Sequence, residues 1–160
     1  MASVHDVAKY ILDQRGAMTT WKLQKLVYYS QAWHLVWKED ALFQDRIEAW
    51  ANGPVVPALY NNHRRQFKVT TWSKGDPGRL EDAEKQTIDR VLDSYGELSG
   101  HQLSQLTHNE GPWLEARSGL APTEISTNQI SLESMQAFYL AVDADDSAIP
   151  IGEIDWGELA

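Results

Sequence analysis

Cysteine is absent from this sequence of 160 residues. Without thiols the chain has no disulfide bonds, no thiolate zinc site, no iron-sulfur cluster and no cysteine nucleophile. A protein without any need for oxidised thiols fits a reducing compartment, so we expect a cytoplasmic protein.

Basic residues are also scarce. Fourteen Lys and Arg stand against 23 Asp and Glu, which gives a formal net charge of -9 and a pI near 4.9. Because the phosphate backbone of a nucleic acid attracts positive charge, this balance argues against a nucleic-acid partner. It favours a basic protein as the partner.

Long apolar runs and familiar catalytic motifs are missing as well. No stretch reaches the roughly 18 apolar residues that a membrane span needs, and the N-terminus has no basic leader before an apolar core. The patterns G-x-x-x-x-G-K, G-x-G-x-x-G and G-x-S-x-G do not occur. We therefore expect no membrane association, no cofactor, no catalytic residues and no enzymatic activity.

The five histidines invite a test for metal binding and for acid-base chemistry. His101 and His108 are the one close pair, and their spacing does not place two imidazoles on one ion, so we expect no metal site. An enzymatic alternative would pair His108 with Thr107 or Glu110, or use His34 as a buried base. The simpler interpretation is that Thr107 and His108 hydrogen-bond loose carbonyls at a helix end, and that His34 is a hydrogen-bonded polar plug in the core.

Apolar residues recur at helical spacing along most of the chain. Ser3 and Asp6 predict a capping box that begins the first helix, and Gly16 predicts its end. The second helix, from Trp21 to about Trp37, is apolar nearly all round, which predicts a central helix packed on several sides. Further helices are predicted over 57–65, 81–95, 112–117 and 131–142 and around 103–106, and an extended segment over 67–72.

These elements predict a mainly α fold, a compact single-domain helical bundle around a central apolar helix with at most short β elements. We place the helical domain at 1–142 and an acidic C-terminal tail at 143–160. The tail contains no Lys or Arg. Two interpretations of it stay open: a solvated terminus, or an acidic segment whose apolar residues dock on a basic partner.

The chain has one basic cluster, His63, Arg64 and Arg65 with Lys68 nearby, flanked by aromatic residues. Arginine forks bind oxyanions and aromatic rings offer stacking surface, so the cluster could grip a phosphate or an acidic patch. The alternative interpretation is that the cluster is the solvent-exposed face of a short helix. We interpret the cluster as a contact surface.

Three stretches go beyond generic helices: LQKLVYYSQAWHLVW at 23–37, IEAWANGPVVPALY at 47–60 and LTHNEGPWLEAR at 106–117. In order and spacing they resemble the Panacea domain family of SocA-like antitoxins, proteins often described as phage-associated. The resemblance covers most of the chain and leaves the acidic tail outside. The matching motif positions are Leu23, Lys25, Leu26, Tyr28, Trp33, His34, Glu48, Trp50, Gly53, Pro54, Tyr60, Thr107, His108 and Trp113.

The resemblance implies a helical antitoxin that neutralises its cognate toxin, encoded next door, by direct protein contact. It also implies an alternative, because the SocA-like branch includes a proteolytic adaptor that delivers its toxin to a protease. Most motif positions are expected to build the fold, with Trp33, Trp50 and Trp113 as core anchors. The candidate toxin-binding residues are Trp21, Arg64, Arg65, Trp72, Asp155 and Trp156.

Overall fold

The computed structural model describes residues 2–145 and 153–157 of the chain. The described residues form seven α-helices and four short strands, which confirms the mainly α fold. The helices are α1 Val4–Arg15, α2 Thr20–Lys38, α3 Pro57–His63, α4 Asp82–Tyr95, α5 Gly100–His108, α6 Gly111–Ala116 and α7 Leu132–Ala144. The strands are β1 Met18–Thr19, β2 Glu48–Trp50, β3 Gly53–Val55 and β4 Lys68–Val69, and a 3-10 turn spans Pro77–Arg79.

Helix α1 begins and ends as its sequence predicts. The Ser3 hydroxyl accepts a hydrogen bond from the His5 amide, and the Asp6 carboxylate accepts one from the Ser3 amide. These two bonds satisfy amides that a first helical turn leaves open. Gly16, with a φ of 78°, ends the helix by donating its amide to the Leu12 carbonyl. The predicted capping box and the predicted stop are both confirmed.

Helix α2 is the centre of the molecule, as its uniform apolarity predicts. It packs against α1, α4, α5 and α7, and Leu23, Leu26 and Val27 are fully buried. A helix enclosed on several sides has no face that must stay polar. The Nδ1 atom of His34 lies 2.8 Å from the Thr87 hydroxyl, which confirms the interpretation of His34 as a polar plug.

The two small sheets are the part of the fold that the sequence predicts least well. Strands β2 and β3 form an antiparallel hairpin in which Glu48 faces Val55 and Trp50 faces Gly53, and we predicted only a break here. Strands β1 and β4 pair antiparallel, with Met18 opposite Val69. The extended segment predicted over 67–72 is wrong in its length, because the ladder stops at Val69.

The hairpin is held in place by the segment that precedes α7. The Ala49 amide donates to the Asn128 carbonyl at 2.8 Å, and the Ile130 amide donates to the Ile47 carbonyl at 2.9 Å. Residues far apart in sequence therefore satisfy the backbone hydrogen-bonding groups at the hairpin's outer edge. The hairpin lies against α2 and α5.

Helix α7 ends at Ala144, and the division of the chain at residue 143 stays a prediction. Within the acidic tail, Asp155 is exposed and Trp156 is partly buried. The remaining tail residues, 146–152 and 158–160, lie outside the described residues. None of the helices in the described ranges is long and apolar enough to cross a membrane.

Candidate functional site

A pocket of about 260 Å³ opens where the first turns of α2 meet the hairpin and α3. We call it the basic pocket, because its lining includes one lysine and two arginines and none of its lining residues is Asp or Glu. In a chain of net charge -9, this local excess of positive charge stands out. The lining residues are Thr20, Trp21, Gln24, Lys25, Trp50, Asn52, Val55, Tyr60, His63, Arg64, Arg65 and Gln66.

Lys25 forms the floor of the basic pocket. Its residue surface is only 1% exposed, although it carries an ammonium group on a flexible stem. Among residues 2–145 and 153–157, its ammonium makes no hydrogen bond and no ion pair. Burial lowers the pKa of Lys25 from 10.5 to about 7, because an apolar environment disfavours the charged form.

Gly53 makes room for the Lys25 side chain. The φ of Gly53 is 115°, and a Cβ built there would lie 2.6 Å from the Lys25 Cε and 3.0 Å from the Thr107 hydroxyl. Such a distance is shorter than a carbon-carbon contact allows, so any side chain at residue 53 would displace the lysine. The Asn-Gly-Pro sequence therefore shapes the pocket floor as well as the turn.

Gln24 fixes the wall beside Lys25. Its amide oxygen accepts the Val56 amide at 2.9 Å, and its amide nitrogen donates to the Val56 carbonyl at 3.3 Å. That orientation leaves the Gln24 nitrogen as the donor to His63 Nε2, 3.0 Å away, so the proton of neutral His63 lies on Nδ1. Burial, together with the charge of Lys25, lowers the pKa of His63.

The rim of the basic pocket is exposed and mixed in character. Trp21 is 46% exposed, and Arg64 and Arg65 are both exposed. The Trp50 and Tyr60 rings, which also line the pocket, meet edge to face at 4.9 Å. A partner at this rim would meet two guanidinium groups and apolar ring surface together.

Three of the six predicted toxin-binding residues, Trp21, Arg64 and Arg65, are thus brought to one place from two separate segments. Trp72 is not at this rim, because its ring is 5% exposed and its Nε1 donates to His5 Nδ1 at 3.0 Å. Trp72 is therefore a core residue rather than an exposed contact. The two tail residues, Asp155 and Trp156, do not line the pocket.

Most motif positions lie in the core or line the pocket. Trp33 and Trp113 are buried, as predicted for core anchors, whereas Trp50 is partly exposed and lines the pocket. The other buried motif positions are Leu23, Lys25, Leu26, Tyr28, His34, Gly53, Pro54 and Thr107, and the partly exposed ones are Glu48, Tyr60 and His108.

A second polar cluster lies in the core at Glu110. Its carboxylate accepts hydrogen bonds from the Tyr29 hydroxyl at 2.6 Å and the Tyr139 hydroxyl at 2.8 Å. Since Tyr139 gives its proton to Glu110, the Tyr28 hydroxyl is the donor in the 3.1 Å bond between Tyr28 and Tyr139. Burial raises the pKa of Glu110 from 4.5 to about 7, and the two tyrosine bonds oppose part of that rise.

The acid-base pair that His108 and Glu110 could form is not assembled. The His108 ring stacks on Trp113 with centroids 4.2 Å apart, and its Nε2 is buried without a hydrogen-bond partner among the described residues. Thr107 donates to the Ser104 carbonyl at 2.9 Å, the helix-end bond expected for it. In the described part of the chain, no group of three or more His, Cys, Asp or Glu could hold a metal ion.

The pocket residues Gln24, Asn52 and Gln66 were not singled out from the sequence, and Lys25 was identified only as a motif position. A signal for Gln24 and Lys25 was present, because they are adjacent polar residues on a helix that is mostly apolar. Such residues either hydrogen-bond inside the core or line a cavity. Gln24 does the first and Lys25 the second.

The fold and the site together define a small, mainly helical domain with a basic pocket built on its central helix. The chain belongs to the family described as Antitoxin SocA-like, Panacea domain, whose model matches residues 23–114. That match includes every lining residue of the pocket except Thr20 and Trp21, which precede it.

A curated relative is Antitoxin SocA of Caulobacter vibrioides (strain NA1000 / CB15N), which is 31% identical over 125 residues. The aligned region is 67% of this chain, and it spans 66% of the relative's length, slightly less than two thirds. No solved structure matches the chain.

Proposed function

We propose that this chain is an antitoxin that neutralises its cognate toxin by direct protein contact, with the rim of the basic pocket as part of the contact surface. The observation that carries the proposal is the convergence of Trp21, Arg64 and Arg65 on one exposed rim; the two arginines lie within the family match, and Trp21 lies two residues before it. Exposed tryptophan and arginine are the residue types that most often dominate binding energy at protein interfaces. The family and the name of the relative support the antitoxin role.

Neutralisation by contact requires a stable surface and no chemistry. The rim is carried by α2 and by the end of α3, and Gln24 links these two elements through both hydrogen-bonding groups of Val56. A rigid rim loses little conformational entropy when a partner binds. We infer that the chain acts by occupying the toxin rather than as an enzyme.

The direct test is to express the neighbouring reading frame from an inducible promoter, with and without this chain. Growth and the amount of the neighbouring protein are followed together. We expect growth arrest by the neighbour alone, and restored growth with the neighbour still abundant and co-purifying with this chain. If growth returns because the neighbour disappears, the chain is a proteolytic adaptor; if the neighbour is harmless, the antitoxin proposal is wrong.

The contact surface has its own test in the same assay. The pair Arg64→Glu and Arg65→Glu should abolish co-purification and protection, because it reverses the charge of the rim while leaving the core intact. A matched control is the pair Lys74→Glu and Lys85→Glu, which changes the net charge by the same amount outside the pocket. Equal loss of protection in both pairs would contradict a role for the rim.

A further inference from the structure

The Lys25 ammonium is the least explained group in the molecule. A buried charge is normally paired, since an isolated ammonium loses several kcal/mol of hydration in an apolar site. The other buried cation of the described residues, Arg117, donates three hydrogen bonds to backbone carbonyls. Lys25 has no such bond within the described ranges, and it borders an open pocket rather than packed core.

Among the described residues, no acidic side chain lines the pocket at Lys25. Neither Arg64 nor Arg65 forms an ion pair within the part of the chain that the structure describes. The lining also includes the side chain of Asn52, which can donate a hydrogen bond. The pocket is therefore lined with unused donors and positive charge, which is the complement of an anion.

The backbone at the rim is held in an uncommon conformation. Arg65 has a φ of 72°, in the left-handed region that costs a residue with a side chain about 1 kcal/mol or more. The Gln66 amide donates to the His63 carbonyl at 2.9 Å, which closes the turn and keeps Arg64 and Arg65 beside the pocket mouth. Strain of this kind is often found where the chain positions binding groups.

We propose that the basic pocket binds an oxyanion, a carboxylate or phosphate group, which accepts a hydrogen bond from the Lys25 ammonium at the floor while Arg64 and Arg65 flank it at the mouth. The group is carried by a small molecule or by a side chain of the bound partner. The volume of about 260 Å³ admits either one. The pocket is the same one whose rim is assigned to toxin contact. Only the case in which the oxyanion is a side chain of the bound partner rests on the proposed function.

The first experiment uses the full chain alone, with sulfate and acetate as probes. Binding is followed by the ¹³C chemical shift of the Lys25 Cε and by tryptophan fluorescence, because Trp21 and Trp50 line the pocket. We expect a saturable shift of the Lys25 signal that is lost in Lys25→Met. The matched control Lys74→Met removes an exposed lysine outside the pocket and should bind like the unchanged protein.

The pH dependence of sulfate binding identifies the lysine as the receptor. Sulfate keeps its charge between pH 6 and pH 8.5, whereas Lys25, with a pKa of about 7, loses its own. His63 and His108 are the neighbouring titratable groups, and burial lowers the pKa of both, with the charge of Lys25 adding to that lowering. Affinity should fall at least about tenfold from pH 6 to pH 8.5, and a flat profile would overturn the role of Lys25.

The second experiment measures the affinity of the complex with the partner protein identified by co-purification. If the oxyanion belongs to the partner, Lys25→Met should weaken the complex at least about tenfold and Lys74→Met should leave it unchanged. If sulfate binds the free chain but Lys25→Met leaves the complex unchanged, the ligand is a small molecule. The proposal is wrong if the free chain does not bind the probes and Lys25→Met does not weaken any complex. That conclusion also holds if no partner protein is found.

Folding of the variants is controlled in two ways. Lys25→Met replaces a buried cation with an apolar side chain of similar length, a change that often preserves or raises stability. Its helical circular dichroism should match that of the unchanged chain. If it does not, Arg64→Gln with Arg65→Gln, at exposed positions, serves as the second variant, and unchanged sulfate affinity in that pair would overturn the role of the mouth.

Discussion

At the scale of single residues, two ionisable groups of opposite kind, the buried Lys25 and the partly buried Glu110, differ in their hydrogen bonding. Glu110 accepts hydrogen bonds from the hydroxyls of Tyr29 and Tyr139. Lys25 has no comparable partner among the described residues and faces a pocket. A hydrogen-bonded acid belongs to the fold, whereas a buried base beside open volume is available to a ligand.

The Glu110 cluster gives a pH dependence with a defined sign. The pKa of Glu110 is about 7 in the folded chain and 4.5 in a solvated one, so the folded state binds the proton more tightly. The contribution of Glu110 to the free energy of unfolding is therefore largest below pH 4.5, and it is lost as the pH rises to about 7. The loss is of the order of 2 to 3 kcal/mol.

Glu110→Gln should remove this dependence, since an amide keeps an acceptor for the tyrosines and does not titrate. Urea unfolding of both proteins at several pH values between 4.5 and 7.5 measures the difference, in which other titrating groups cancel. Glu115→Gln, an exposed change in α6, the helix that begins just after Glu110, is the control and should follow the unchanged protein. Parallel profiles for Glu110→Gln and the unchanged protein would show that Glu110 is not the group responsible.

Gly53 tests how tightly the pocket floor is packed. Gly53→Ala combines a left-handed backbone with a Cβ 2.6 Å from Lys25, whereas Gly119→Ala has a φ of 81° and nothing within 4 Å of its Cβ. We expect about 1 kcal/mol of lost unfolding free energy for Gly119→Ala and at least twice that for Gly53→Ala. Thermal or urea unfolding measures both, and equal losses would mean that the close contact with Lys25 costs nothing.

At the scale of elements, the helices are autonomous and the hairpin is not. Capping residues at Ser3, Thr19, Ser99 and Ser131 begin four helices with their own hydroxyls. The hairpin instead depends on Asn128, Ile47 and Ile130 along its edge and on Arg117 beneath it. Its stability therefore reports on the tertiary structure rather than on local sequence.

Arg117 is the residue that joins α6, β2 and the following loop. Its guanidinium donates to the carbonyls of Ala49, Ala121 and Glu124, and its cation lies over the Trp113 ring at 4.8 Å. Arg117→Met should leave these carbonyls without a donor and cost about 3 kcal/mol or more. Arg117→Lys should recover only part of this, because an ammonium cannot reproduce the planar fork.

Chemical denaturation of the two Arg117 variants provides the measurement. Hydrogen exchange adds a local readout: the Ala49 and Ile130 amides, which join the hairpin to the segment before α7, should lose protection first. Arg90→Met, which removes an exposed arginine stacked on Trp37, is a suitable comparison. A loss no larger than that of Arg90→Met would contradict the linking role of Arg117.

At the scale of the whole molecule, charge is divided unevenly. The chain has a net charge of -9, yet the basic pocket has three cationic side chains and none of its lining residues is acidic. A field of this kind attracts a basic partner from a distance and orients an acidic group of it locally. Under the proposed function, both features act in the encounter with a toxin.

The salt dependence of association tests this distribution. With a basic toxin, the association rate constant should fall at least about tenfold as ionic strength rises from about 0.02 M to about 0.3 M, because screening shortens the reach of the field. The dissociation rate constant should change less, since close contacts are screened less. Stopped-flow mixing measures both, and an association rate independent of salt would exclude steering by net charge.

The sequence by itself determined the helices, their caps and the central place of α2, since apolar period and capping chemistry act within a few residues. It also identified the motif residues, and it indicated Arg64 and Arg65 as a contact surface. It could not determine that Trp72 is buried, that residues 48–55 form a hairpin, or that Lys25 faces a pocket. Those outcomes depend on which distant segment hydrogen-bonds to each backbone group and which side chains fill the space beside each residue. Such long-range contacts leave no periodic pattern in the local sequence.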